Sequence, residues 1–146
     1  MPVIGMNLTK VEFEKRGAPI PGMRIEVNLT PNVRDMRLGE IRSPTGKMKG
    51  VEILFKYEIN YRPEIAEGRV EGAIMYLPAR KEDIDRILDE WDAEKKVRPD
   101  VFAEMVNFIT SEISPLLFVL AKEMRLPYHI PLPRVELKQG PQVSGG

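Results

Sequence analysis

Val51-Glu-Ile-Leu-Phe-Lys-Tyr-Glu-Ile-Asn-Tyr61 is the stretch that decides the fold. Val51, Ile53, Phe55, Tyr57, Ile59 and Tyr61 are apolar or aromatic at every second position, and Glu52, Lys56, Glu58 and Asn60 stand between them. Side chains on a strand alternate between its two faces, so this is a strand with one face made for a core and one made for water. Moving outward, Arg62-Pro63-Glu64 turns the chain, and Val70, Ile74 and Tyr76 oppose Arg69 and Glu71 until Pro78 stops a further strand. In the other direction, Ser43-Pro44-Thr45-Gly46-Lys47 reads as a hairpin connection. Before it, Ile25, Val27 and Leu29 alternate with Arg24, Glu26 and Asn28, and Pro31 interrupts ahead of Val33 and Met36. A long strand with a bulge or an edge position fits that interruption. The earliest strand is Leu8 to Glu14, where Val11 and Phe13 alternate with charged residues, and Gly17, Pro19, Pro21 and Gly22 end it.

After Pro78 the period changes from 2 to 3.6. Ile84, Ile87, Leu88 and Trp91 mark a short helix with an acidic outer face. A longer helix starts near Pro99 and Asp100, residues suited to a first turn. Val101, Met105, Phe108, Ile109, Leu116, Leu120 and Met124 line its stripe. Pro115 removes an internal hydrogen bond and predicts two helical pieces. The prolines at 127, 131 and 133 forbid helix beyond Leu126.

Strands followed by helices, rather than alternating with them, give an α+β class: a four-stranded antiparallel sheet with the C-terminal helices packed on one face. The 146 residues suit one domain, here 1–138, followed by a flexible tail at 139–146. The opposite sheet face would carry Lys10, Glu12, Glu14, Arg24, Glu26, Glu52, Lys56, Glu58, Arg69 and Glu71, a solvated surface of mixed charge.

Composition excludes several functions. Twenty-two basic and 22 acidic residues give no net charge, so nothing draws the chain as a whole to nucleic acid or anionic lipid. Without cysteine there are no disulfides, thiol nucleophiles or Cys-based zinc sites, which fits a reducing or a hot compartment. The N-terminus lacks the pattern of a signal peptide, and no stretch approaches the roughly 18 apolar residues of a membrane span. A cytoplasmic protein with no membrane insertion is expected. The Asn-Leu-Thr triplets at Asn7 and Asn28 fall in strands and read as chance matches to the glycosylation pattern.

Residues able to do chemistry are sparse. His129 stands alone between Tyr128 and Ile130. Asp83, Asp85, Asp89 and Asp92 have the spacing of a solvated helix face rather than of a metal site or an acid/base pair. Thr45-Gly46-Lys47 lacks the first glycine and the Ser or Thr of a phosphate loop. Lys95, Lys96 and Arg98 read as a helix-end cluster, and Gly145-Gly146 as a flexible end. No catalytic residue, metal or cofactor is expected. What remains is apolar surplus: Phe102, Phe108, Leu117, Phe118 and Val119 exceed one core stripe, so either oligomerisation or a ligand covers the rest.

Three short motifs accompany this order of elements. Leu8-Thr9-Lys10-Val11-Glu12-Phe13-Glu14 precedes Ala18-Pro19; Leu117-Phe118 precedes Ala121-Lys122-Glu123; and Leu126-Pro127 precedes Leu132-Pro133-Arg134-Val135. Together, over roughly residues 6 to 137, they resemble the family of the bacterial export chaperone SecB. The resemblance implies an ATP-independent holdase for unfolded or partly folded polypeptide clients, assembled as a homodimer or homotetramer. It also implies a client groove between the loop after the first strand and the helical layer. On this chain the groove would use Ile20 and Met23 of the loop and Phe55, Phe108, Phe118 and Leu132 as apolar walls. The loop is shorter than the family's and lacks its aromatics. The wet sheet face mixes Lys and Arg with Glu, so docking on the export motor is not part of what the resemblance implies here. Abundant Glu, Lys and Arg without cysteine suit a thermophilic relative. The competing reading is a non-catalytic oligomeric module whose apolar helix surface serves self-assembly or one specific protein partner, such as an antitoxin.

Overall fold

The computed structural model describes residues 3–127. Four strands, β1 (Val3–Lys15), β2 (Glu26–Ser43), β3 (Gly46–Arg62) and β4 (Ala66–Tyr76), are followed by helices α1 (Glu82–Glu94) and α2 (Pro99–Glu123). All neighbouring strands are antiparallel, in the order β1-β4-β3-β2. The chain folds back from β3 into β4 and then inserts β4 between β3 and β1, so the stretch that reads most clearly as a strand is central.

Register places the apolar positions on one face. Val51 faces Tyr76, Ile53 faces Ile74, and Tyr57 faces Val70. Val51, Ile53, Phe55, Tyr57, Ile59 and Tyr61 are all buried to 1% exposure or less, under Ile84, Ile87 and Trp91 of α1 and Val101, Met105, Ile109, Ile113 and Leu117 of α2. Helix α1 lies over β2 and β3. Helix α2 is fixed to the sheet centre by a buried hydrogen bond of 2.9 Å between the Tyr57 hydroxyl and Thr110 Oγ1. Gly72 lets β1 and β4 approach: a Cβ there would stand 2.4 Å from the Asn7 carbonyl oxygen.

Several expectations are met and several corrected. β2 is an edge strand, which accommodates Pro31, and its bulge falls at Val33–Asp35 rather than at the proline. Pro115 does not divide α2, which runs unbroken from Pro99 to Glu123. Both Pro115 and Ser111 are exposed, so the missing helical hydrogen bond falls on the solvent side of α2. By length and composition α2 is also apolar enough to cross a membrane, contrary to the sequence expectation; here its inner face is spent on the sheet. His129, Leu132 and the tail at 139–146 lie outside the described residues.

Candidate functional site

The apolar residues of the helix layer divide by what they touch. Phe55 is 1% exposed and belongs to the core, so it lines no surface groove. Phe108 is half-buried against the core, whereas Phe118 and Val119 stand about half exposed at 48% and 53%. Ten helical residues separate Phe108 from Phe118, about 15 Å along the axis, so they do not share one patch. In the loop after β1, Ile20 is the most exposed large apolar residue and Met23 is half-buried against the core. The loop is closed by a hydrogen bond from the Met23 amide to the Ile20 carbonyl.

A polar clasp brings this loop to one end of α2. The Lys15 ammonium donates to the Met124 carbonyl at 2.7 Å, satisfying a terminal carbonyl that the helix itself leaves open. Arg16 and Gly17 donate their amides to the Ile65 carbonyl in the β3–β4 turn. The loop bearing Ile20 and Met23 therefore leaves the sheet beside the helical end that carries Phe118 and Val119. Of the expected site residues, Ile20 and Met23 lie in the loop that follows Lys15 and Phe118 is exposed in the C-terminal half of α2, while Phe55 is in the core and Phe108 is half-buried against it. Val119, next to Phe118, is also exposed; its place in an apolar run of the helix is the only signal the sequence offered.

Burial, followed by the nearby Glu104 carboxylate, holds the Tyr76 phenol well above the ordinary tyrosine value. Burial likewise raises Tyr57 and Tyr61. Such groups stay neutral and structural at neutral pH. Among the described residues, no three acidic or histidine side chains converge as metal ligands. Lys95 and Arg98 have specific partners: the Lys95 ammonium lies 5.0 Å from the Trp91 ring centroid, and Arg98 grips both oxygens of Glu90.

The opposite sheet face is less uniform than its alternation suggests. Its centre is laced with ion pairs: Lys10 with Glu12, Lys56 with Glu58, Arg37 with Glu52, and both Arg34 and Arg69 with Glu71. Glu71 is only 8% exposed, a correction to the expectation that it is solvated, because Arg34 reaches it across β3 from the bulge in β2. A cleft of about 530 Å³ opens here between Glu12, Glu58, Glu67 and Arg69. Its carboxylates already have cationic neighbours. Toward the β2–β3 hairpin the same face becomes apolar, where Met75 packs over Gly39 and Gly50.

No family model matches the chain, and no curated protein matches it in sequence. Among solved structures, it is similar to a SecB-like chaperone of Mycobacterium tuberculosis in complex with a peptide from an antitoxin, with a TM-score of 0.50 and 12% identity over 92% of this chain and 88% of that one. At that identity the likeness is one of architecture: the four-stranded antiparallel sheet with its C-terminal helical layer is a SecB-like fold.

Proposed function

We propose that this protein is an ATP-independent chaperone that holds apolar segments of unfolded or partly folded polypeptides, working in the cytoplasm as a dimer or tetramer. The observation that carries the reading is exposed apolar surface at Ile20, in the loop after the Lys15 bond to α2, and at Phe118 and Val119 in the C-terminal half of that helix. Exposed apolar side chains on a soluble fold mark contact surfaces, and a surface without directional chemistry suits clients of varied sequence. The SecB-like neighbour supports the reading, since it was captured with a bound peptide. The test is light scattering by a chemically denatured model protein diluted into buffer without nucleotide. Dose-dependent suppression is expected, and unchanged aggregation at every ratio up to molar excess defeats the proposal.

A second reading has one observation in its favour: the peptide held by that neighbour comes from an antitoxin, a single partner rather than a varied client set. One stoichiometric partner recovered from the source cell, with no binding to denatured model proteins, selects that reading.

A further inference from the structure

The β2–β3 hairpin outruns the sheet. β4 joins the ladder only from Val51↔Tyr76 onward, while β2 and β3 continue paired through Gly39↔Gly50 and Glu40↔Lys49 to Ser43↔Gly46. The result is a two-stranded arm whose β3 edge has no neighbouring strand along residues 46–49. An unpaired edge exposes main-chain donors and acceptors to any extended chain.

The charges of the arm set it apart from the rest of the sheet. Elsewhere on β1 to β4, Lys10, Arg34, Arg37, Lys56 and Arg69 each have a carboxylate partner and Lys15 donates to the Met124 carbonyl, while Arg62, the last residue of β3, forms no ion pair among the described residues. On the arm, Arg42, Lys47 and Lys49 form no ion pair among the described residues, although Lys49 is directly opposite Glu40. Arg42 and Lys47 are cross-strand partners, and like charges placed opposite each other weaken a ladder. Alternation and register put Arg42, Lys47 and Lys49 on one face with Leu38 and Val51, the face turned toward the helices. Leu38 is nevertheless 53% exposed, so the helical layer ends before the arm begins.

We propose that the arm is a docking edge for an extended acidic polypeptide segment, which adds as a strand beside residues 46–49 and places carboxylates at alternate positions against Lys47 and Lys49. Strand addition supplies main-chain hydrogen bonds, and the period of two supplies the selectivity, because only every second side chain of the added strand faces the cations. The acidic segment also relieves the Arg42–Lys47 repulsion. This site is separate from the apolar end of the helix layer and does not depend on the chaperone reading.

The experiment is fluorescence anisotropy on the full chain with three labelled decapeptides: one with Glu at alternate positions, one with the same composition and its Glu residues consecutive, and one with Lys in place of Glu. The alternating peptide is expected to bind about tenfold tighter than the consecutive one, and to lose affinity steeply between about 50 and 200 mM salt. Lys47→Gln/Lys49→Gln should abolish the preference without lowering the thermal melt or the suppression of client aggregation. N-methylation of alternate amides on the bonding edge of the peptide should also remove binding. Equal binding of both acidic peptides, retention of binding by the N-methylated peptide, or tighter binding of an oligothymidylate overturns the proposal. Failure to suppress aggregation with these peptide results intact bears only on the chaperone reading.

Discussion

The Trp91 indole donates its N–H to Oδ1 of Asp35 at 3.1 Å, joining α1 to the β-bulge of an edge strand. The same carboxylate oxygen accepts the Met36 amide at 2.9 Å. The bulge stops β2 from continuing as a flat edge, and the aspartate it presents anchors the helix that covers the neighbouring core.

That pair makes stability sensitive to acid. The bond from Trp91, and then that from Met36, hold the Asp35 carboxyl below its ordinary value. A carboxyl whose folded pKa is depressed stabilises the fold above the unfolded value of about 4 and loses that contribution as pH falls through the folded value. Chemical denaturation followed by Trp91 fluorescence should show stability declining below about pH 4. Asp35→Asn should flatten that part of the profile; an unchanged slope rules the pair out as its source.

At the other end of the pH scale, buried tyrosines dominate. Burial raises Tyr57, Tyr61 and Tyr76, so each stabilises the fold below the unfolded phenol pKa, and that contribution is lost as pH rises above about 10 toward the folded values. Alkaline unfolding is expected to coincide with the rise in phenolate absorbance rather than to follow it. Tyr57→Phe, which removes the partner of Thr110, should cost about 1 kcal/mol. Tyr57→Phe/Thr110→Val should cost less than the sum of the single changes, because neither hydroxyl is then left buried alone.

The two ends of the sheet should differ in their tolerance of added volume. A Cβ on Gly72 meets the Asn7 carbonyl oxygen at 2.4 Å, whereas one on Gly39 meets the Met75 thioether at 2.5 Å. Backbone does not move aside, and a methionine side chain does. Gly72→Ala is expected to cost about 1–3 kcal/mol in urea denaturation and Gly39→Ala distinctly less. Equal costs contradict the close β1–β4 approach.

For the proposed holding activity, Ile20→Asp and Val119→Asp place charges on exposed positions, so thermal melts should stay near those of the parent protein. Light scattering should then show client protection weakened in each variant and weakest in the pair. Full protection by the double variant places the client surface elsewhere.

Much of the architecture is legible in local pattern. The alternation from Val51 to Tyr61 reports a strand with one apolar face. Phe55 shows the limit: alternation identified its apolar face without telling whether that face meets a helix or a client, and the structure puts it under the helices. Pro115 shows another, since propensity counts the lost hydrogen bond but not which side of α2 it falls on. The charged arm was hidden for a similar reason. Arg42, Lys47 and Lys49 look like any solvated residues until register sets two of them opposite each other beyond the last residue of β4.

Side-chain periodicity, a property of neighbouring residues along the chain, yields the succession of four strands followed by helix, but it divides α2 at Pro115 and leaves Leu117 outside the core stripe, where the folded chain buries it to 3% exposure. Tertiary structure decided the order β1-β4-β3-β2, the Lys15–Met124 clasp between β1 and α2, the burial of Glu71 and the unpaired arm. These depend on what stands across space from each residue: burial, ion pairing and edge exposure are set by partners distant in the chain, and those distances close only when the sheet and its helical layer assemble.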